Sequence, residues 1–269
     1  MSTNPTINPR TEAAPGAPGT QTQKSAQRFW QRYFKFYDTL NAYIPYRKML
    51  ERHAELLEPL NGALTLDAGT GTGNVAELLV ARGATVTGID FCEPALEKCR
   101  WKVRQAEFHF GDLTQPLAFT PASFDRVACC LVLHLLRPSA QQLAVDEFFR
   151  VLKPGGMAVI TAFVKGFNPI AAYVETLRQQ LTVSGLPGTV WFGIRYLFDT
   201  VRILYYVFQI RSRQKNGEFN FLTPEVLGPM LAQAGFVQVR FETMFAGQCL
   251  TAVAVKPAFL IVPSGAPRG

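Results

Sequence analysis

The sequence predicts an α/β chain built on a doubly wound, mostly parallel sheet, and three observations carry that reading. Short apolar runs alternate with helix-period segments from residue 64 to 163, a glycine-rich turn (Gly69-Thr-Gly71-Thr-Gly73) follows the first run, and two β-patterned runs close the series. Strands that alternate with helices pair in parallel, because each helix returns the chain to the same end of the sheet. The first strand is Leu64 to Asp67. A helix from Val75 to Ala81 stops at Gly83, a second strand runs from Thr85 to Asp90, and a second helix follows from about Pro94 to Val103. Glu107 to Phe110 is the third strand and Arg126 to Leu133 the fourth. A helix through Leu143 to Leu152 and a Lys153-Pro-Gly-Gly156 turn lead to the fifth, Met157 to Phe163. Val237 to Met244 and Cys249 to Val255, joined by Phe245-Ala-Gly-Gln248, read as a terminal antiparallel hairpin, making seven strands.

The 269 residues, 48% of them hydrophobic, supply one substantial core. Residues 1–23 are almost all small, polar or proline and cannot repay their ordering entropy, so a disordered tail is expected there, with a flexible tail at 257–269. Between them lies one domain, 24–256. It opens with helices over 24–60, whose aromatics Phe29, Tyr33, Phe36 and Tyr37 recur at helical spacing, and it carries a long helical insertion at 166–222. The start lacks the basic and apolar stretches of a secretory signal, and the five cysteines show neither a metal spacing nor a disulfide framework, so a cytoplasmic location is expected.

The net charge of +7 is unevenly spread: residues 165 to 215 hold seven Lys or Arg against Glu175 and Asp199. Within Val190 to Arg213, Arg195, Asp199, Arg202, Gln209 and Arg213 form one narrow stripe, and nearly everything else is apolar or aromatic. Charges at its centre argue against a membrane span, which wants about 20 apolar residues. The wide apolar face must still pack on the domain, a homodimer partner, a lipid surface or a greasy substrate. Peripheral contact with the inner membrane surface through 190–213 is the favoured expectation.

The glycine turn permits a sharp bend and a close backbone approach to a ligand lying at a helix N-terminus. A dinucleotide-binding loop would place its third glycine where this chain has Asn74, which makes an NAD-dependent oxidoreductase the less favoured reading. Asp90 closes the second strand, where a carboxylate can bind both hydroxyls of a ribose, and Asp112 follows the third. Strand ends thus aim glycines and carboxylates at one crevice, where open α/β sheets bind ligands.

In that order, Leu64-Thr-Leu-Asp-Ala-Gly-Thr-Gly-Thr-Gly73, Gly88-Ile-Asp90, Gly111-Asp112, Phe124-Asp-Arg-Val127 and Val151-Leu-Lys-Pro-Gly-Gly156 resemble the class I S-adenosylmethionine-dependent methyltransferases of the small-molecule type. The resemblance implies that Asp67, Gly69, Gly71 and Gly73 line the methionine part of S-adenosylmethionine, that Asp90 binds its ribose, that Phe91 flanks the adenine, and that Asp112 and Leu113 hold the adenine edge. Cys130 stands at a position that often touches the cofactor. A methyl group on sulfonium is already activated, so no metal is required, and the protein has mainly to align donor and acceptor. Where the acceptor is a phenol or an enolisable carbon, a base helps, and His134 in Leu131-Val-Leu-His-Leu-Leu136 is the candidate, set against a hydrogen-bonded histidine opening a helix.

The leading segment, Phe36-Tyr-Asp-Thr-Leu-Asn41 with Pro45-Tyr-Arg47, resembles the entry helices of quinone C-methyltransferases and bacterial phosphatidylethanolamine N-methyltransferases. That implies a lid with Tyr37 over the cofactor, and a cap at 166–222 over a small hydrophobic or amphiphilic acceptor, a lipid or quinone-like molecule. One position departs: the quinone enzymes have an Arg-Asn pair after the fourth strand and this chain has His134-Leu135, which counts against a quinone and keeps a phospholipid or another small amphiphile open. Nucleic acid is not expected, because Cys129-Cys-Leu-Val132 carries neither the Asn-Pro-Pro-Tyr nor the Pro-Cys mark of base methylation. A protein of this fold that binds the cofactor without transferring, as a sensor or assembly partner, is the alternative, since the motif residues bind cofactor only.

Overall fold

The computed structural model describes residues 21–215 and 221–258. The expected tails therefore fall largely outside the described residues, and helix α1 begins at Gln21. The elements run α1 (Gln21–Tyr37), a 3-10 turn (Asp38–Ala42), α2 (Ile44–Glu55), β1 (Leu64–Ala68), α3 (Asn74–Ala81), β2 (Thr85–Asp90), α4 (Glu93–Lys102), β3 (Glu107–Phe110) and β4 (Phe124–Cys130). A 3-10 turn (Leu133–Leu135), α5 (Pro138–Val151), β5 (Leu152–Phe163), α6 (Pro169–Lys215), α7 (Pro224–Ala234), β6 (Val237–Met244) and β7 (Cys249–Val255) complete the chain.

The strands form one sheet in the order β3-β2-β1-β4-β5-β7-β6. The first five pair in parallel, and β7 pairs antiparallel with both β5 and β6, as expected from the sequence. Strand alternation divides the core. Leu66, Val127, Ile160 and Ala252 face a cluster completed by Ala144 and Phe148 of α5 and Leu227 and Leu231 of α7. Val86, Ala128, Val159 and Val253 face the other cluster, completed by Met49 of α2, Leu79 of α3 and Leu96 of α4. Burial on both faces explains why β7 and the second half of β5 read as near-continuous apolar runs. The order reverses between β1 and β4, the switch point where a crevice opens at the carboxyl ends of the strands.

Two sequence boundaries move. The fourth strand ends at Cys130 rather than Leu133, because Leu131 takes a left-handed conformation (φ 59°) while its N–H donates to the Thr161 carbonyl at 2.7 Å. The apolar run continues as a buried turn, which periodicity cannot distinguish from a strand. The Lys153–Gly156 turn is drawn into β5, since Gly155 N–H donates to the Lys256 carbonyl and Lys256 N–H to the Gly156 carbonyl.

The insertion is one long helical element broken at Gly185 (φ 64°, ψ −175°), a left-handed conformation that glycine tolerates. Its second arm runs beside α1. Phe29 and Tyr33 of α1 meet Tyr206 edge-on or tilted, Arg202 stacks on Phe36, and Thr39 donates to Asp199 at 2.9 Å. Together α1 and α6 roof the crevice.

Candidate active site

The glycine turn is fixed by hydrogen bonds the sheet provides. Gly69 and Thr70 N–H both donate to the Ile89 carbonyl (2.8 and 2.9 Å), which pins the turn to the end of β2. Asp90 binds it from the side: its Oδ2 accepts from Gly71 N–H at 3.0 Å and its Oδ1 from Cys92 N–H at 2.9 Å. Asp67, at the end of β1, accepts from the Thr70 hydroxyl at 2.7 Å. Gly69 has φ +77°, and a Cβ there would lie 2.5 Å from Val132 Cγ2. Gly71 has φ +56° and faces the ring of Phe34 across the turn. The turn is thus pressed between the segment after β4 and the lid helix.

Above it lies a cavity of about 930 Å³, near the top of the range of about 300–1,000 Å³ usual for ligand sites. Asp67, Gly69, Gly71, Asp90, Phe91, Asp112, Leu113, Cys130, His134 and Tyr37 all line it, so sequence-distant candidates converge on one space. Gly73 lies off the wall. It caps α3 in a left-handed conformation (φ +80°), and a Cβ there would approach Cys99 Sγ to 3.1 Å, so its glycine serves the packing of α4. Asp112 turns one oxygen to Thr114, accepting from its N–H (2.9 Å) and hydroxyl (2.7 Å).

Burial sets the electrostatics. It pushes the Asp67 carboxyl up to about 7, against the Thr70 hydrogen bond and with a contribution from the nearby Asp90. It pushes Asp90 up to about 6, opposed by the backbone N–H groups it accepts from. No lysine or arginine pairs with either among the described residues. Burial also raises the Cys130 thiol and the Tyr37 hydroxyl well above their usual ranges, so both stay protonated. The Tyr37 hydroxyl accepts from Tyr46 at 2.9 Å.

His134 sits on the 3-10 turn after β4, held there by Gln141 Nε2 donating to the Leu133 carbonyl at 3.0 Å. It is 1% exposed, packs edge-on to Phe163 at 5.3 Å and tilted against Phe221 at 5.5 Å, and its Nδ1 has no hydrogen-bond partner among the described residues. Burial lowers its pKa to about 3, which keeps the ring neutral and able to accept a proton or a hydrogen bond.

Sequence reasoning missed much of the roof. Trp30, Tyr33 and Phe34 of α1 and Tyr173, Thr176, Thr200, Ile203 and Val207 of α6 line the same cavity. The helical aromatic spacing was visible, but only the packed structure shows which edge of α1 faces the crevice. Around α6, apolar residues stand on nearly all sides, so hydrophobicity alone could not choose the wall.

A methyltransferase-domain family model matches residues 66–160. A demethylmenaquinone methyltransferase of Thermotoga maritima is 30% identical over 238 residues, 84% of this chain and 94% of that protein. A ubiquinone/menaquinone biosynthesis C-methyltransferase of Syntrophotalea carbinolica is 30% identical over 235 residues, 86% of this chain and 92% of that protein. Among solved structures, Haemonchus contortus phosphoethanolamine N-methyltransferase 2 in complex with S-adenosyl-L-methionine shares the fold, with a TM-score of 0.61 at 17% identity over 90% of this chain and 61% of that one. With that likeness to a relative over nearly its whole length, and with the glycine turn, acidic strand ends and sheet order in place, the chain belongs to the class I S-adenosylmethionine-dependent methyltransferases.

Proposed function

We propose that the enzyme methylates a quinol-like aromatic acceptor with an apolar tail, using S-adenosylmethionine held at the glycine turn. The observation that carries this reading is the pair of buried carboxylates, Asp67 and Asp90, facing the cavity without a cation while a neutral imidazole stands among phenylalanines in the same space. A cationic ligand with a ribose fits that wall. Gly69 and Gly71 leave room for backbone approach, Asp67 faces the methionine part, Asp90 the ribose, Phe91 the adenine face, and Asp112 with Leu113 the adenine edge. When bound, the cofactor supplies a methyl group already activated on sulfur. The chain's own residues align the acceptor, exclude water beneath α1 and α6, and hold its proton.

Phe163, Phe167, Phe221, Phe245, Ile203 and Val207 line much of the rest of the cavity, with Arg137, Arg211 and Arg213 also on its wall, and the aromatic and aliphatic share suits a flat ring with a hydrocarbon tail. The names of the relatives point the same way and weigh against the departure at His134-Leu135. In this reading His134 accepts the acceptor's hydroxyl proton, so that electron density reaches the ring carbon that forms the new C–C bond as the S–C bond breaks. That carbon then loses its hydrogen as a proton to water and His134 returns its proton to the oxygen, which restores the aromatic ring. The test is transfer of labelled methyl from S-adenosylmethionine to a demethylated quinol in detergent micelles, with phosphatidylethanolamine as the competing acceptor. Label in the quinol supports the reading; label only in the phospholipid replaces it. Thermal stabilisation by S-adenosylhomocysteine but not by NAD separates both from an oxidoreductase.

The buried groups also set an expected pH signature. Asp67 and Asp90 are raised from 3.8 to about 7 and 6, so in the cofactor-free protein their contribution to stability is full below 3.8 and lost as pH rises through 6 to 7. His53 and His134 are lowered from 6.5 to about 3, so theirs is full above 6.5 and lost as pH falls toward 3, about 2 kcal/mol each by pH 5. The two pairs oppose one another between pH 4 and 6.5. Saturating S-adenosylhomocysteine favours the ionised carboxylates and leaves the histidine loss uncompensated. Melting curves should therefore shift little between pH 7 and 5 without ligand and fall clearly with it. Parallel shifts would contradict the assignment of Asp67 and Asp90 to the cofactor.

A further inference from the structure

The second arm of α6 wears its polarity inside out. Trp191, Ile194, Phe198, Val201, Tyr205 and Phe208 follow one another at helical spacing along its outer face, with Trp191 67% and Phe198 76% exposed. The opposite face, with Phe192, Thr200, Ile203 and Ile210, is buried, and Ile203 and Ile210 line the acceptor cavity. The charges lie on the seam between the two faces: Asp199 accepts from Thr39 and pairs with Arg202 at 3.5 Å, Arg202 stacks on Phe36, and Arg213 stacks on Phe29. At the Gly185 break, Leu181, Val183 and Leu186 extend the exposed apolar surface to the tip of the insertion. Monomers rarely leave so continuous a stripe in water.

We propose that this face is a docking surface for an anionic lipid bilayer, and that it sets the cavity beneath α6 against the lipid. Three observations choose the occupant. Arg195 on the second arm and Arg178 on the first are exposed, whereas the two carboxylates of α6 are engaged: Asp199 with Thr39 and Arg202, and Glu175 with Gln179 and Arg178. That balance complements an anionic surface, and a second copy docking through the same face would bring no free carboxylate of α6 to meet the arginines. Trp191 and Tyr205 have the amphipathic rings that settle at a headgroup boundary. No helix among the described residues is long and apolar enough to cross a membrane, which leaves lying in the interface as the way such a stripe can use lipid. The same helix then presents one face to the bilayer and the other to the cavity, so that an acceptor with a hydrocarbon tail has a short path from lipid to His134. This last step rests on the proposed acceptor; the docking itself does not.

The test is flotation of the full chain with vesicles of phosphatidylethanolamine and phosphatidylglycerol, with pure phosphatidylcholine alongside, and light scattering of the chain alone. The wild type is expected to float with the anionic vesicles, less so at high salt. The double substitution Trp191→Glu and Phe198→Glu should lower the bound-to-free ratio by about tenfold or more. Arg178→Gln with Arg195→Gln, which spares the apolar residues should the first pair disturb folding, should lower it by roughly fivefold per arginine, the equivalent of about 1 kcal/mol each near an anionic surface. Neither pair lines the cavity, so methyl transfer in micelles should persist in both. A wild type that stays at the bottom, or a dimer that the glutamate pair breaks, overturns the proposal and in the second case assigns the face to another copy. Flotation without transfer to the quinol in micelles sinks the acceptor and keeps the docking; transfer in micelles without flotation does the reverse.

Discussion

Replacing Gly69 with alanine is expected to abolish measurable binding of S-adenosylhomocysteine and to destabilise the fold by about 2–4 kcal/mol. Two independent costs add at this position. The backbone is left-handed (φ +77°), which a Cβ disfavours by about 1–2 kcal/mol. The new methyl would also stand 2.5 and 2.8 Å from the two γ-carbons of Val132, and Val132 cannot retreat without moving the turn that carries His134. The turn must shift instead, and it is the turn whose N–H groups bond to Ile89 and Asp90 and which lines the cavity. Adding Val132→Ala should recover part of the stability, because it removes the clash, and little of the binding, because the dihedral cost remains. Calorimetric titration and thermal unfolding of the two single variants and the double variant read both terms. Wild-type affinity in Gly69→Ala would mean that the glycine turn is not the cofactor site. Gly73→Ala is the control: it stands off the cavity against Cys99, so its cost should appear in stability more than in affinity.

The contrast between Gly69 and Gly73 shows how far the sequence could be read. Spacing placed all three glycines in one turn, correctly, because a strand that runs straight into a helix has few other ways to bend. It could not tell that Gly69 makes room for Val132 and Gly73 for α4, since that depends on which neighbour arrives from elsewhere in the chain. The sheet was legible for a similar reason: the inner parallel strands are largely buried on both faces and bounded by turns, so their apolar residues are local information, while β3 at the edge is largely exposed. The end of β4 was not. Leu131 to Leu133 is as apolar as a strand, and only the left-handed Leu131 and its bond to Thr161 divert it. The roof was the least legible part. In α1 and α6 apolar residues meet the cavity, the domain and the solvent alike, and the narrow polar stripe of α6 marks the seam with the lid, which its spacing alone did not show.

That same turn after β4 carries the largest expected catalytic effect. His134→Phe should lower kcat by about 100-fold to 10,000-fold while leaving affinity for S-adenosylhomocysteine nearly unchanged. Phenylalanine is the informative replacement, because it keeps the ring contacts with Phe163 and Phe221 and removes a buried Nδ1 that has no partner. Replacing an unsatisfied buried polar group by an apolar one of similar shape is neutral or stabilising, so the melting temperature should hold or rise as activity falls. A histidine that merely filled the core would show no loss of rate in this variant, and that result would end its proposed role. His134→Gln separates the remaining possibilities. It retains a hydrogen-bond acceptor but cannot hold a proton, so it should restore activity if the ring only orients the acceptor hydroxyl and fail if the ring takes the proton. Burial holds the imidazole at about 3, which makes it a weak base. Transfer is therefore expected only as the C–C bond forms, when the acceptor's oxygen gives its electron pair to the ring and its O–H becomes acidic enough for a weak base to take the proton. For the same reason the acid limb of kcat/KM should follow Asp67 and Asp90, at about 7 and 6, and persist at its wild-type position in whatever activity His134→Gln retains. A limb that moved with the substitution would transfer the titration to His134 and overturn the assignment of that limb to the carboxylates.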